Sequence, residues 1–293
     1  MLDKIIGFKI YHPVTGRQET VFPFGSTTHG KAEISVSGSI IGAETSSTVE
    51  LVVTNYYPSM VFFDTKNNYM CEVVIGYKDT PNAMGTIRGQ VLNVYTEYTG
   101  VDSKTHISIN TGLYTQAIEK NISVNLVAGT PYSALISTIA SKIGMKTALV
   151  TMSSTKLLKV PFVFNGNSLD AISKVKELIA QDGMSITIRN GVITAFEISK
   201  GSGYVHNVNM ITSPIRMFDN GITVQTLFDP RIFVGDKIRI SSKYFISTAG
   251  VFVTTSAGFG LETVYTVLRI DFSFSTTGSE NSMTIIGVES DKI

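Results

Sequence analysis

A chain of 293 residues can bury a real core in two or three domains without disulfide or metal staples. Its formal charge of +1 lacks the footprint of a nucleic-acid or anionic-membrane binder, and only 16% of its residues are charged, against roughly 25% in ordinary soluble domains. One cysteine, Cys71, supplies neither a disulfide framework nor a metal cluster, and its strand-like neighbours make it a buried structural thiol. No apolar run reaches about 18 residues, and Met1-Leu2-Asp3-Lys4 lacks the basic and apolar regions of a signal peptide. A soluble, unexported protein is expected. Few charges with many Ser and Thr suit a surface covered by neighbours in an assembly. A Thr-rich β protein that needs few charges reads the same way.

In chain order, Ile5 to Tyr11 is the first expected strand and His12-Pro13-Val14-Thr15-Gly16 a turn. Alternation marks Ile34 to Ile41, Thr48 to Thr54 and Cys71 to Tyr77, while Thr86 to Tyr98 is long enough for two strands or one bent one. Thr105 to Ile109 closes this set, so residues 1–112 read as an antiparallel barrel or sandwich. The next segment, 113–204, is expected to be a small α+β insert. Thr130 and Pro131 open a helix as cap and first-turn proline, and Tyr132, Leu135, Ile136, Ile139, Ala140 and Ile143 share a face before Gly144 stops it. Leu157 to Phe164, with Pro161 inside, reads as an edge strand or extended arm. A second helix starts at Asn167 or Ser168, carries Leu169, Ile172, Val175, Leu178 and Ile179 on one face and closes at Gln181-Asp182-Gly183. Met184, Ile186 and Ile188 then alternate into an Asn190-Gly191 turn, and Val192 to Ile198 runs back. Lys200 to Gly203 is the expected linker.

Residues 205–293 return to strands, at Gly221 to Phe228, Lys237 to Ser241, Thr263 to Phe274 and Met283 to Val288. The order invites comparison with the first section. Thr48 to Pro58 can be laid on Ile222 to Pro230, each a strand ending in aromatics and a proline. Glu72 to Gly76 then matches the surroundings of Gly235 to Ile238, Val91-Leu92-Asn93-Val94 matches Val267-Leu268-Arg269-Ile270, and the returns run through Ile107 and Ile285. Two copies of one barrel would flank the helical module, with chance β patterning as the alternative. Lys243 to Leu261 stands apart, placing Tyr244, Phe245, Ile246, Val251, Phe252, Val253 and Phe259 among Gly, Ser and Thr. An apolar excursion of this length is expected to be a subunit or partner contact, or else extra strands on the barrel's own core.

Nothing in the pattern asks for catalysis. His12, His29, His106 and His206 show no metal-ligand spacing, and the chain has no G-x-S-x-G elbow, P-loop or G-x-G-x-x-G. Glu119, Asp170, Glu177 and Asp182 are acids of the insert that lie beside or on helices, where such residues are usually solvated or complement the dipole. A non-enzymatic protein without cofactor or metal is expected.

The first section resembles the barrel of bacteriophage tail hub and tube proteins at Asn55-Tyr56-Tyr57-Pro58, Val73 to Asp79 and Ile87-Arg88-Gly89-Gln90-Val91. The insert is similar to theirs at Gly129 to Leu135, Phe164 to Ile172 and the Asn190-Gly191 hairpin, and the last section at Leu227 to Asp236. The resemblance is to the baseplate hub, or late control D type, proteins of contractile-tailed phages. It implies two tail-tube-like barrels per chain and a homotrimer whose pseudo-sixfold torus joins the sixfold tail tube to a threefold central spike. The implied partners are the tail tube protein and a separate spike protein, since the chain is too short to carry a spike, lysozyme domain or β-helix of its own. Baseplate wedge proteins and the tape measure protein are further partners in that picture. DNA passes a neutral to weakly acidic lumen without specific binding, no membrane is involved, and the protein resides in the virion tail after assembly in the host cytoplasm. A tube-end or distal-tail adaptor of other stoichiometry is the alternative. A host-carbohydrate-binding module is a further one, weakened by the absence of Trp.

Overall fold

The computed structural model describes residues 4–21, 33–41, 47–58, 69–77, 84–111, 120–149, 152, 156–189, 192–201, 203–208, 210–212, 214–216, 221–242, 244–247, 252–254, 261–277 and 281–290. They form a mainly β protein with two helices. The first set of strands is β1 (Lys4–Tyr11), β2 (Gln18–Val21), β3 (Ile34–Ile41), β4 (Thr48–Thr54), β5 (Met70–Tyr77), β6 (Gly85–Thr99) and β7 (Asp102–Asn110). Between the sets lie β8 (Asn121–Leu126), α1 (Tyr132–Ile143), β9 (Lys146–Leu149), β10 (Phe162–Asn167), α2 (Ser168–Ala180), β11 (Met184–Arg189) and β12 (Val192–Glu197). The second set is β13 (Val205–Asn207), β14 (Ile215–Arg216), β15 (Gly221–Leu227), β16 (Lys237–Ser242), β17 (Tyr244–Ser247), β18 (Phe252–Thr254), β19 (Leu261–Ser275) and β20 (Asn281–Glu289).

Period-two burial explains these strands. In β4, Val49, Leu51 and Val53 are buried while their neighbours are not, and in β7 Ser103, Thr105, Ile107 and Ile109 point the same way. The buried Thr105 hydroxyl is satisfied by the Tyr56 carbonyl and the Thr96 hydroxyl. Thr86 to Tyr98, expected as two strands or a bent one, is a single strand whose pairing with β7 shifts between Val91 and Asn93. Leu92 is the extra residue of that bulge, and 45% of its surface is exposed.

β19 repeats this design. Each residue of β6 maps onto the residue 176 further on, from Gly85 to Leu261 and from Thr99 to Ser275, and the bulge recurs between Val267 and Arg269 at the matching leucine. Val94 opposes Ile107 as Ile270 opposes Ile285, and Ile107 opposes Leu51 as Ile285 opposes Val224. The pairing corrects the alignment read from the sequence by one residue: Leu51 corresponds to Val224, so Thr48 lies on Gly221 and not on Ile222. The partner strand sets the register, and a one-residue slip would have turned the buried face outward. The glycine match also fails. Met70 and Lys237 are equivalent, opposite Gln90 and Thr266, so Gly76 lies inside β5 while Gly235 precedes β16. The sets diverge at the next strand, where β1 pairs β5 antiparallel and β13 pairs β16 parallel.

Among the described residues neither set closes a barrel of its own. Their strands join in one sheet ordered β18-β17-β14-β15-β20-β19-β3-β4-β7-β6-β5-β1-β2, with β16 and β13 branching from β19. The physical reason is the length of β19, which pairs β16 over 261–266 and β3 over 269–275 along the edge opposite β20. One buried cluster accordingly spans both sets, from Ile6 to Ile285. The Tyr77 hydroxyl of β5 lies 2.7 Å from Asn281 Oδ1 and 3.0 Å from the Phe228 carbonyl, with its ring edge-on to Phe274. Burial pushes that phenol above its ordinary pKa.

The insert has a second buried cluster, from Ile122 to Ala195. α1 buries the face read from its spacing and ends at Gly144, whose φ of 86° places it in the left-handed region. Its start differs from expectation: Pro131 is the cap, and the Thr130 hydroxyl instead donates to the Val127 carbonyl. α2 is capped by Asn167, whose side chain accepts from Leu169 N–H at 2.8 Å. The run from Leu157 becomes a strand only after Pro161, where β10 pairs antiparallel with β8. β11 and β12 pair as a hairpin, with β9 added parallel to β12, and the Asn190-Gly191 turn lies outside the described residues.

Phe196, paired with Ser185 in the insert's hairpin, is fully buried in the cluster of the large sheet. Gly235, at φ 94°, makes room for it, since a Cβ there would lie 2.7 Å from the Phe196 ring. The Asp236 carboxylate holds this corner by accepting from Phe233 N–H at 3.0 Å, with His206 Nε2 3.3 Å away.

Candidate assembly interface

Of the seven candidate contact residues, Tyr244, Phe245 and Ile246 lie on β17, and Phe252 and Val253 on β18. These strands form an antiparallel hairpin with Phe245 opposite Val253 and Ile246 opposite Phe252. Val251 and Phe259 lie outside the described residues. β17 joins the sheet by pairing parallel to β14, with Ile215 opposite Ile246, so among the described residues the hairpin is one terminus of the long sheet. A sheet terminus leaves backbone donors and acceptors unpaired, which suits it to receive another strand.

The reading from sequence did not single out the second part of β6, which has no partner on its β5 side among the described residues. The first part of that strand, 85–90, pairs β5 on the side away from β7. Beyond the bulge no described strand pairs Asn93–Thr99 on that side. Tyr98 is 72% exposed there, and Val101, at the tip of the β6–β7 hairpin, is 99% exposed. Tyr95 stacks flat on His106 with ring centroids 4.6 Å apart. His106 Nδ1 lies 2.7 Å from Glu50, and Nε2 lies 3.4 Å from Glu97 without a hydrogen bond, so the imidazole joins β7 to β4 through Glu50 and to β6 through the Tyr95 stack. The sequence signal available was the internal repeat itself, which predicts a partner for β6 where β19 has one.

The titratable groups elsewhere act as braces. Tyr132 donates to Asp182 Oδ2 at 2.6 Å, and Lys159 Nζ lies 3.0 Å from Oδ1. Burial and the Asp182 bond push the Tyr132 phenol up to about 12, while the bonds from Tyr132 and Lys159 hold the Asp182 carboxyl below the usual carboxylate range. At Asp229 burial is opposed and outweighed by a bidentate pair with Arg231, which keeps that carboxyl low as well. His12 Nδ1 accepts from the N–H groups of Val14 and Thr15 and so holds its turn. His29 lies outside the described residues. Cys71 is fully buried, and that burial, with Glu72 adjacent, pushes its thiol up and away from reactivity. Among the described residues no three His, Cys, Asp or Glu side chains gather as a metal site. No described helix is long and apolar enough to cross a membrane. An apolar cleft lies where the strand sets meet, lined by Ile40, Ile75, Phe228, Pro230, Phe233 and Phe272. It offers few polar groups to orient a ligand.

No family model matches the sequence, and no curated protein does. Solved structures do. The chain is similar over 98% of its length to 96% of a tail protein from Neisseria meningitidis MC58, with a TM-score of 0.59 at 9% identity. It is similar over 97% of its length to 96% of the tail protein of prophage MuSo2 from Shewanella oneidensis, with a TM-score of 0.54 at 12% identity. A chain of the Francisella PdpA-VgrG complex matches at TM-score 0.51 and 9% identity, and there the match spans 59% of that chain. At these identities the likeness is one of architecture, and from end to end the protein has the fold of two tail proteins.

Proposed function

We propose that this protein is a non-enzymatic structural hub of a phage-type tail, a homotrimer that adapts the sixfold tail tube to the threefold central spike. The observation that carries the reading is the repeated hairpin, β6–β7 and β19–β20, with the same lengths, the same bulge and equivalent positions opposed. The β3–β19 pairing shows how one unit continues into the next. With two units per chain, three chains present six similar units in a ring, so one face matches a sixfold object while the whole keeps threefold symmetry. The fold shared with tail proteins supports a place in the virion tail, and the low charge suits a surface covered by neighbours.

The division into 1–112, 113–204 and 205–293 belongs to this proposal. So does a contact role for Tyr244, Phe245, Ile246, Val251, Phe252, Val253 and Phe259. In the assembled tail the insert meets baseplate wedge proteins. A neutral to weakly acidic lumen lets the tape measure protein and then DNA pass, because a basic lining would hold the phosphate backbone. Assembly takes place in the host cytoplasm.

Electron microscopy of the assembled protein tests the reading. Rings of six similar lobes with threefold symmetry only are expected. Six chains about a true sixfold axis would overturn the trimer and favour a tube-end adaptor.

A further inference from the structure

One end of the insert exposes apolar side chains on a backbone that is already held in place. β8 and β10 form a two-stranded ribbon in which Leu126 opposes Phe162 and Asn125 opposes Val163. Past that end, Gly129 N–H donates to the Leu158 carbonyl, Leu158 N–H donates to the Thr130 carbonyl, and Pro131 bridges to Leu157. These bonds lay 127–131 alongside 157–161. Leu158 and Phe162 turn inward and are buried in the insert's cluster. Their neighbours turn outward: Val127 is 72% exposed, Val160 and Val163 are each 61% exposed and Leu157 is 41% exposed, with Ala128 and Pro161 exposed between them. Further along, the same ribbon exposes Ser123, Asn125 and Asn165 instead, so the apolar character is confined to this end.

A contiguous apolar patch of a few hundred Å² marks a binding surface. Its size and its charge indicate the occupant. A stable interface between two folded chains buries about 800 Å² on each side, so a patch of roughly half that suits a short segment and not a second copy of this chain. The charges tied to this end are Lys156, Lys159 and Asp182: Asp182 Oδ1 lies 3.0 Å from Lys159 Nζ, and its carbonyl accepts from Lys156. One carboxylate thus balances two ammonium groups, and Lys159, between Leu158 and Val160, keeps 75% of its side chain in solvent. Residues 113–204 carry nine Lys and Arg against five Asp and Glu, net +4, while the rest of the chain carries 15 against 18, net −3. The excess of positive charge on the insert favours an acidic occupant.

We infer that this end of the insert binds a short segment of another tail protein, one that carries apolar side chains flanked by carboxylates. The apolar side chains pack on Val127, Leu157, Val160 and Val163, and a carboxylate reaches the Lys159 ammonium. Because the ladders fix the patch before binding, little ordering entropy is lost on this side of the contact. The inference deepens the insert's proposed contact with baseplate proteins and rests on it.

The test pans a displayed library of random twelve-residue peptides against the full chain and compares each enriched peptide with a Val127→Asp, Val160→Asp double variant. Both positions are exposed, so the variant is expected to keep the circular dichroism and melting temperature of the parent. Enriched peptides are expected to combine large apolar residues with Asp or Glu, and to bind the variant at least about tenfold more weakly. No enrichment, enrichment of basic peptides, or equal binding to the folded variant would overturn the inference. Two further readouts name the competing occupants: self-association lost in the variant would assign the patch to a second copy, and sedimentation with phosphatidylglycerol–phosphatidylcholine vesicles, lost in the variant, would assign it to a membrane surface. Either result contradicts the segment. Peptide binding does not depend on how many chains form the ring, so a trimer without enrichment sinks this inference alone, and enrichment on a monomer sinks the ring alone.

Discussion

Leu51 and Val224 occupy equivalent places in the two strand sets, opposite Ile107 and Ile285, and both are buried to within 1% of complete. Truncating either to alanine tests whether one core serves both sets. Leu51→Ala removes three buried carbons at about 0.8 kcal/mol each, roughly 2.4 kcal/mol before the cavity is counted. Val36 and Ile107, held by ladders on both sides, cannot collapse into the space, so the total is expected near 3–4 kcal/mol. Val224→Ala removes two carbons and is expected to cost roughly 2–3 kcal/mol. For a unit of this size each kcal/mol lowers the melting temperature by about 2–4 °C, which puts Leu51→Ala near 6–16 °C. Because the buried cluster is continuous, the loss is expected to spread: hydrogen exchange should accelerate in β15, β19 and β20 as well as in β4 and β7 when Leu51 is truncated. Faster exchange confined to β1–β7, with a second melting step left at its original temperature, would refute the shared core.

Gly235→Ala would strain a φ of 94° and drive a Cβ toward the Phe196 ring, so a loss of about 2–3 kcal/mol in chemical denaturation is expected, while Phe196→Leu in the same background should recover part of it. Tyr132→Phe removes the bond to Asp182 at an expected cost of about 1–2 kcal/mol in the insert. The Asp182 pKa is lowered on folding, so its contribution is present above the ordinary carboxylate pKa and is lost as pH falls through the folded value. Acid titration of the insert's stability should therefore be shallower in Tyr132→Phe than in the parent, and an identical slope would count against this brace. Cys71 should resist a thiol reagent in the native protein and react at once in denaturant; native-state labelling would show that β5 opens.

The helices and the β11–β12 hairpin were legible because their apolar spacing is local: Leu135, Ile136 and Ile139 in α1 and Ile172, Val175 and Ile179 in α2 declare a face without knowledge of what covers it. β8 and β9 were not, since Asn121–Leu126 alternates over only six residues and Lys146–Leu149 has four, and their partners β10 and β12 lie far along the chain. The repeat showed in Val91-Leu92 and Val267-Leu268, where both strands bulge, but β4 and β15 were aligned one residue off. Tyr57-Pro58 and Phe228-Asp229-Pro230 offered a tempting match beyond the strands, whereas the faces are fixed by Ile107 and Ile285 across the ladder. Two separate barrels were expected because nothing local in β19 announces that its second part pairs β3. The apolar residues of β17 and β18 stood out as candidate contacts, whereas nothing local in Asn93–Thr99 announces that no described strand pairs it on the β5 side.

Native mass spectrometry of the purified protein across a concentration range tests the trimeric adaptor most directly. A trimer with no hexamer is expected, since two units per chain then complete six. A hexamer of the same chain, or a monomer that neither a tail tube protein nor a spike protein drives into threes, would contradict it.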